Sequence, residues 1–253
     1  PEPKPILKCC SEITAFSKIK NLGYRKKNTT MHKKMKVEIW SDVVCPFCYI
    51  GKRRFEKALN DFHQKDQIEV IYRSFQLNPD IQTDTNKSVE QYLSESKGVT
   101  LNKATEMTQY VTEQAASEGL GFHMENAVVA NTFRSHRILQ LALSQGRQQA
   151  MKERLLKAYF IEGKNIDDID ILTDLSHEIG LLYVEDTLQN DNFSNEVKRD
   201  ILESKQLGIQ GVPFFVFNRK YGISGAQDTK VFAEAINQSF NEWQEAEFQT
   251  EDN

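Results

Sequence analysis

Two cysteines three residues apart, in Cys45-Pro46-Phe47-Cys48, are the residues of this chain best suited to chemistry. A thiol at the first turn of a helix lies among unpaired backbone N–H groups and at the positive end of the helix dipole, both of which favour its thiolate. A second thiol three residues on lies one turn along the same face. Such a pair can attack a disulfide with the first sulfur and release the product with the second, or run in reverse and oxidise a dithiol. Two other uses compete. A zinc site needs two further ligands at suitable spacing, and neither Cys9-Cys10 nor the five histidines supply that spacing. The cysteines could also simply be buried and structural. The context, a strand before the pair and a helix after it, favours the redox use.

The elements that must position the pair can be read around it. Lys36-Val37-Glu38-Ile39-Trp40-Ser41 has strand composition, and Asp42-Val43-Val44 forms a short loop into Cys45. From Pro46 to about His63 the apolar residues recur with helical period, and Pro46 suits the first helical position. Ile68 to Phe75 predicts a second strand, so the start is strand–helix–strand, a parallel pair with a crossover. Residues 76–209 read as almost wholly helical. The expected helices are Val89–Ser96, Leu101–Glu118, Val128–Gln145, Gln148–Phe160, Ile169–Ile179 and Ser194–Leu207, with glycines between them as caps. Strands return at Pro213–Phe217 and Tyr221–Ser224 around the turn Asn218-Arg219-Lys220, and a last helix is expected over Thr229–Glu245. The class is α/β, with the order β-α-β, a helical block, then β-β-α. That is the layout of a thioredoxin fold with a large helical domain inserted between its halves. The expected domains are 35–76 with 208–246, and an insertion over 77–207, with a solvated tail over 247–253.

Composition narrows the function. The chain has 253 residues, 39% of them hydrophobic, enough for a filled core. A net charge of −4 is too mild to argue for nucleic acid, and no apolar run is long enough to span a bilayer. Residues 1–36 hold ten Lys/Arg and two Glu, a local balance of +8 that leaves −12 for the rest. This basic head has no apolar stretch of the secretory kind. It is expected to be a disordered head or an upstream extension over 1–34, with Met31 and Met35 as candidate natural starts. Beyond residue 36 the only cysteines are Cys45 and Cys48, so none is left for structural disulfides. This suits a reducing compartment, and a cytoplasmic location is expected.

Longer segments carry a resemblance. Asp42-Val43-Val44-Cys45-Pro46-Phe47-Cys48-Tyr49-Ile50-Gly51 resembles the active-site segment of the FrnE-type, DsbA-like thioredoxin family. Gly211-Val212-Pro213-Phe214-Phe215-Val216-Phe217 resembles that family's cis-proline strand, and Ser224-Gly225-Ala226-Gln227 the segment after it. Asn131-Thr132-Phe133-Arg134-Ser135-His136-Arg137 and Ala158-Tyr159-Phe160-Ile161-Glu162-Gly163-Lys164 resemble its helical domain. The resemblance spans about Lys36 to Phe240. The dipeptide Pro46-Phe47 departs from the commoner Pro-Trp, which leaves the redox potential open.

The resemblance implies a disulfide oxidoreductase with Cys45 attacking and Cys48 resolving. It implies a cis Pro213 facing the cysteines, and pairing of the Val212 backbone with an extended substrate segment. Phe47, between the cysteines, is expected to meet substrate. Glu38 lies close to where DsbA-like proteins carry a buried carboxylate that helps move the proton of the second thiol; the alternative is an exposed or edge glutamate. Asp42 is expected to be a loop or capping residue. Asn131 and His136 either touch substrate or serve packing. No metal and no cofactor is expected beyond the Cys45–Cys48 disulfide itself, with glutathione as a conceivable co-substrate. The expected partners are disulfide- or dithiol-containing proteins or small molecules. Two other functions remain open: a glutathione-dependent enzyme of the kappa-class transferase or 2-hydroxychromene-2-carboxylate isomerase type, and a chaperone-like binding module. The former generally carries serine or another non-cysteine at the place of Cys45.

Overall fold

A computed structural model of the chain describes residues 14–15 and 34–251, with side chains over 34–247. The basic head expected over 1–34 lies outside the described residues, apart from Thr14, Ala15 and Lys34. The chain builds one mixed sheet. Strand β2 (Met35–Ser41) runs parallel to β3 (Ile68–Ser74), with Met35 opposite Ile68 and Ser41 opposite Ser74. On its other side β2 pairs antiparallel with β4 (Phe214–Phe217), which forms a hairpin with β5 (Tyr221–Ser224). A two-residue strand, β1 (Thr14–Ala15), lies against β5, giving the order β1-β5-β4-β2-β3. The β4–β5 turn places Asn218 and Arg219 at positive φ, 48° and 57°.

Alternation along β2 decides what each face meets. Met35, Val37 and Ile39 turn to one face. There they pack with Phe55 of α1 (Pro46–Asn60) and with Phe232, Ile236 and Phe240 of α9 (Thr229–Glu251). Trp40 turns to the other face, packs with Ile209 and Val216, and donates its indole N–H to the Asp200 carbonyl at 3.0 Å. Helix α9 runs past the expected end at Glu245, because Ala246 and Glu247 are good helix formers and no Gly or Pro interrupts them.

Between β3 and β4 lie seven helices: α2 (Val89–Lys97), α3 (Leu101–Ser117), α4 (Phe133–Ser144), α5 (Gln148–Phe160), α6 (Ile169–Glu178), α7 (Val184–Gln189) and α8 (Ser194–Gln206). They surround a second apolar core that includes Ile138, Leu141, Met151, Leu155, Phe160 and Leu172. Two expectations needed correction here. Helix α4 starts at Phe133 rather than Val128, because Val129 bridges to Asp84 and the Asn131 side chain ties the loop. That side chain accepts from the Phe133 N–H at 2.9 Å and donates to the Ile81 carbonyl at 2.9 Å. Helix α7 was not anticipated, since six residues are too few for a period to declare itself.

Helix α1 belongs to both cores. Tyr49 and Ile50, in its first turns, join the helical core, while Phe55 and Ala58 join the sheet core. A fully buried side chain of this size contributes roughly 1.5–3 kcal/mol, so the start of α1 is clamped from two sides.

Candidate active site

Cys45 is the N-cap of α1, in extended conformation, and Pro46 takes the first helical position. Cys48 follows one turn later, its N–H donating to the Cys45 carbonyl at 3.0 Å. Both cysteines are free and buried. The Cys45 thiol donates to the Val212 carbonyl at 3.4 Å. The Val212–Pro213 peptide is cis. Helix α1 approaches this loop closely because residue 51 is glycine: a Cβ there would stand 3.0 Å from Pro213 Cγ and 3.3 Å from Ala226. Arg54 adds a hydrogen bond of 2.8 Å to the Ala226 carbonyl. Cys45, Cys48, Val212 and Pro213 are thus assembled at one place. Phe47 is half-buried and packs against the helical core.

Glu38 is assembled elsewhere. It is buried on the Trp40 face of the sheet, opposite α1, where Arg73 donates to it at 2.8 Å through Nε and Arg219 pairs with its other oxygen. Arg73 also reaches Asp200 of α8 at 3.1 Å. The expectation of an exposed edge glutamate does not describe it, and its carboxylate is engaged with two guanidinium groups rather than with the thiols.

The groups that do surround the thiols were weighed lightly or missed in the sequence. Asp42 is buried. Its carboxylate accepts from the N–H of Val43 at 2.8 Å and of Leu77 at 2.8 Å, and lies 3.2 Å from His136 Nε2. Burial works against its charge, but His136 and the Leu77 N–H outweigh it and hold the carboxyl below the usual range. His136 is itself buried on Asp42, and Asn131 is spent on its loop, so both serve positioning. Lys152 of α5 is wholly buried, and its Nζ has no hydrogen-bond partner among the described residues. Burial lowers its pKa to about 8, against the pull of Cys48, Asp42 and Cys45.

Each thiol shifts the ionisation of the other. A hydrogen bond to Cys48, together with burial, pushes the Cys45 thiol well above its ordinary range. Burial also opposes the Cys48 thiolate, but the Cys45 thiol, Lys152 and Ser41 outweigh it and bring the Cys48 pKa down. With both cysteines reduced, Cys45 is the harder of the two thiols to ionise, and its S–H is committed to the Val212 carbonyl. The Cys48 N–H works the other way and favours a charge on Cys45.

The active-site helix is also bolted to the helical domain. Glu153 of α5 accepts from Tyr49 at 2.7 Å, from Lys52 at 2.5 Å and from Arg53 at 2.9 Å. Burial opposes its charge, but Arg53, Lys52 and Tyr49 prevail and hold its pKa at about 2. No group of three His, Cys, Asp or Glu able to hold a metal ion occurs among the described residues, and no helix there is long and apolar enough to cross a membrane.

Comparison with known proteins shows the family. The family model of the DSBA-like thioredoxin domain matches residues 36–237. The uncharacterised protein YwbO of Bacillus subtilis is 30% identical over 215 residues, which is 79% of this chain and 94% of that protein. The crystal structure of a probable DsbA oxidoreductase, SCO1869 of Streptomyces coelicolor, superposes with a TM-score of 0.77 at 38% identity. That match covers 82% of this chain and 91% of the other. The cytosolic disulfide reductase DsbM of Pseudomonas aeruginosa, solved with glutathione, shares the fold at 18% identity and a TM-score of 0.54, over 83% of this chain and 98% of its own.

Proposed function

The chain belongs to the DSBA-like thioredoxin domain family, and from that premise we propose that it is a cytoplasmic thiol–disulfide oxidoreductase working through the Cys45–Cys48 couple. One observation carries the proposal: two free cysteines one helical turn apart at the start of α1, the first bonded to the Val212 carbonyl beside Pro213. A substrate disulfide meets Cys45 once its thiol has lost its proton to solvent. The Cys45 thiolate attacks one substrate sulfur and the other leaves as a thiol. Capture of Cys45 in the mixed disulfide removes its S–H donor, which frees the Val212 carbonyl. The Val212 N–H has no backbone acceptor among the described residues. Both groups then suit an extended substrate segment laid along the loop as an added strand. Cys48 resolves the mixed disulfide and leaves Cys45–Cys48 oxidised.

Glutathione is the proposed small thiol that returns the disulfide to the dithiol. The glutathione bound to DsbM supports this only as an analogy between folds. The kappa-transferase and chromene-isomerase reading fits less well, because Cys45 stands where those enzymes carry a non-cysteine.

The test is to equilibrate the protein in glutathione buffers of graded poise and count free thiols. A reversible two-thiol transition, lost in Cys45→Ser and in Cys48→Ser, is expected, and its midpoint places the protein as oxidant or reductant. Absence of an intramolecular disulfide at every poise would refute the dithiol mechanism. A Cys45→Ser protein that still suppresses aggregation of a client would favour the chaperone-like reading.

A further inference from the structure

The loop between β3 and α2 starts at the candidate site and ends as the wall of a cavity in the helical half. Near its start, the Leu77 N–H is bonded to Asp42 at 2.8 Å, and Asp42 lies three residues before Cys45. Asn78 then donates to the Tyr92 hydroxyl of α2 at 3.1 Å. The rest of the loop is held in place. Asn131 donates to the Ile81 carbonyl at 2.9 Å, Thr83 donates to Asp167 at 2.6 Å, and the Asp84 N–H meets the Val129 carbonyl at 2.9 Å. Between this loop, α2 and Val129 lies a cavity of about 510 Å³. Preformed cavities of this size take a side chain or a small ligand.

The lining selects the ligand. Ile81 and Val129 supply apolar wall. Of the three charged residues, Lys87 donates to Glu95 at 2.8 Å, so these two offset each other. Asp84 is left over. It is half-buried, one of its oxygens accepts from the Asn86 N–H at 2.9 Å, and no hydrogen bond or ion pair reaches the other among the described residues. The Gln82 amide, also in the lining, has no hydrogen bond among the described residues. A carboxylate and an amide oxygen without donors, beside apolar wall and the Tyr92 ring, suit a cation on an aliphatic stem. Bond lengths bound its distance from the chemistry. From the Tyr92 hydroxyl through Asn78, Leu77 and Asp42 to Cys45 is at most about 25 Å, the span of about five extended residues and one arginine side chain.

We propose that this cavity is a substrate subsite: it receives an arginine or lysine side chain about five residues from the cysteine that reacts with Cys45. The inference rests on the dithiol mechanism above and names the class of disulfide substrate that the protein prefers, one with a basic residue beside its cysteine.

The test compares peptides with one cysteine capped by 2-nitro-5-thiobenzoate and, five residues to either side, arginine or its uncharged isostere citrulline. Reduced full-length protein should release the chromophore with a kcat/KM about three- to fivefold higher for arginine on one side, the size of a partly solvated ion pair. The preference should fade in about 1 M salt and fall to a ratio of one in Asp84→Asn, whose amide oxygen still accepts from Asn86. Equal rates for arginine and citrulline on both sides, or a preference that survives in Asp84→Asn, would overturn the inference. A second readout needs no turnover: N-acetylarginine methylamide is titrated into nitrogen-15-labelled protein. It should shift the amide signals of Thr83, Asp84 and Ser96, and the citrulline analogue should not. Unmoved signals would overturn the cavity as a cation site, whatever the thiols do. Shifts without any rate preference would overturn the substrate assignment and leave a site for a free guanidinium compound. Failure to release chromophore from any peptide would instead refute the dithiol mechanism, and the substrate assignment with it.

Discussion

Replacing Lys152 with methionine should make the protein more stable. The side chain is wholly buried, its ammonium has no hydrogen bond among the described residues, and its pKa is lowered to about 8. An unfolded lysine titrates near ~10.4, so the fold disfavours the charged form by roughly 2.4 units, or ~3 kcal/mol. The sign follows from proton counting. Below about pH 8 lysine is charged in both states and the folded protein bears the whole penalty. Between there and ~10.4 the unfolded chain binds more protons than the folded one, so stability rises with pH and the penalty fades. Methionine keeps a similar length and removes the charge. Urea unfolding under reducing conditions should show Lys152→Met ahead by ~2–3 kcal/mol at neutral pH, the gap closing above about pH 10. A variant less stable than the parent, by an amount independent of pH, would refute the reasoning, because Lys152 would then act as a packed and satisfied structural group.

Glu153→Gln should cost ~1–2 kcal/mol at neutral pH. The lowering of its pKa to about 2 sets a ceiling of ~3 kcal/mol, which solvent at this partly exposed carboxylate cuts by about half. That contribution is complete above the ordinary glutamate range and is lost as pH falls from ~4.3 towards 2, so urea curves of the two proteins should converge in acid, and a constant gap would refute it. Asp42→Asn should cost ~2–3 kcal/mol at neutral pH, since an amide cannot accept all three contacts of the buried carboxylate. The same change removes an anion that opposes the Cys45 thiolate, so iodoacetamide should alkylate Cys45 faster in Asp42→Asn, and an unchanged rate would exclude that coupling. Gly51→Ala should be net destabilising by ~1 kcal/mol, the crowding against Pro213 outweighing the gain in helix propensity; a neutral or stabilised variant in denaturant would mean that the Pro213 loop yields.

The dithiol and its helix were legible in the sequence because local chemistry specifies them: a proline fit for the first helical position, a thiol on either side of the first turn, a strand before. The sheet was legible for the same reason, through β-branched and aromatic runs ending in turns. The groups around the thiols were less so, because they arrive from distant elements. Asp42 looks like a loop residue until Leu77 and His136 are folded onto it. Glu38 looks like a proton acceptor until Arg73 and Arg219, 35 and 181 residues away, close on it. Lys152 did leave a signal. Gln148, Met151, Leu155, Leu156 and Tyr159 set out the inward stripe of α5 at helical spacing, and a lysine among them is a charge aimed at a core. Hydrophobic periodicity defines that helix, and Lys152 is the buried residue that violates the period.

The inserted helices fix the seating of the active-site helix. Neighbouring residues on a helix point about 100° apart, so Lys152 and Glu153 divide one turn of α5 between two tasks. Glu153 faces Tyr49, Lys52 and Arg53 and fixes the rotation of α5 against α1. That rotation sets Lys152 over the Tyr72 ring of the sheet. A one-residue slip of α5 would break the Glu153 contacts and turn the Lys152 ammonium off the Tyr72 ring. The thioredoxin half supplies both sulfurs and the Val212 carbonyl, while the helical half supplies the carboxylate that holds the active-site helix in place.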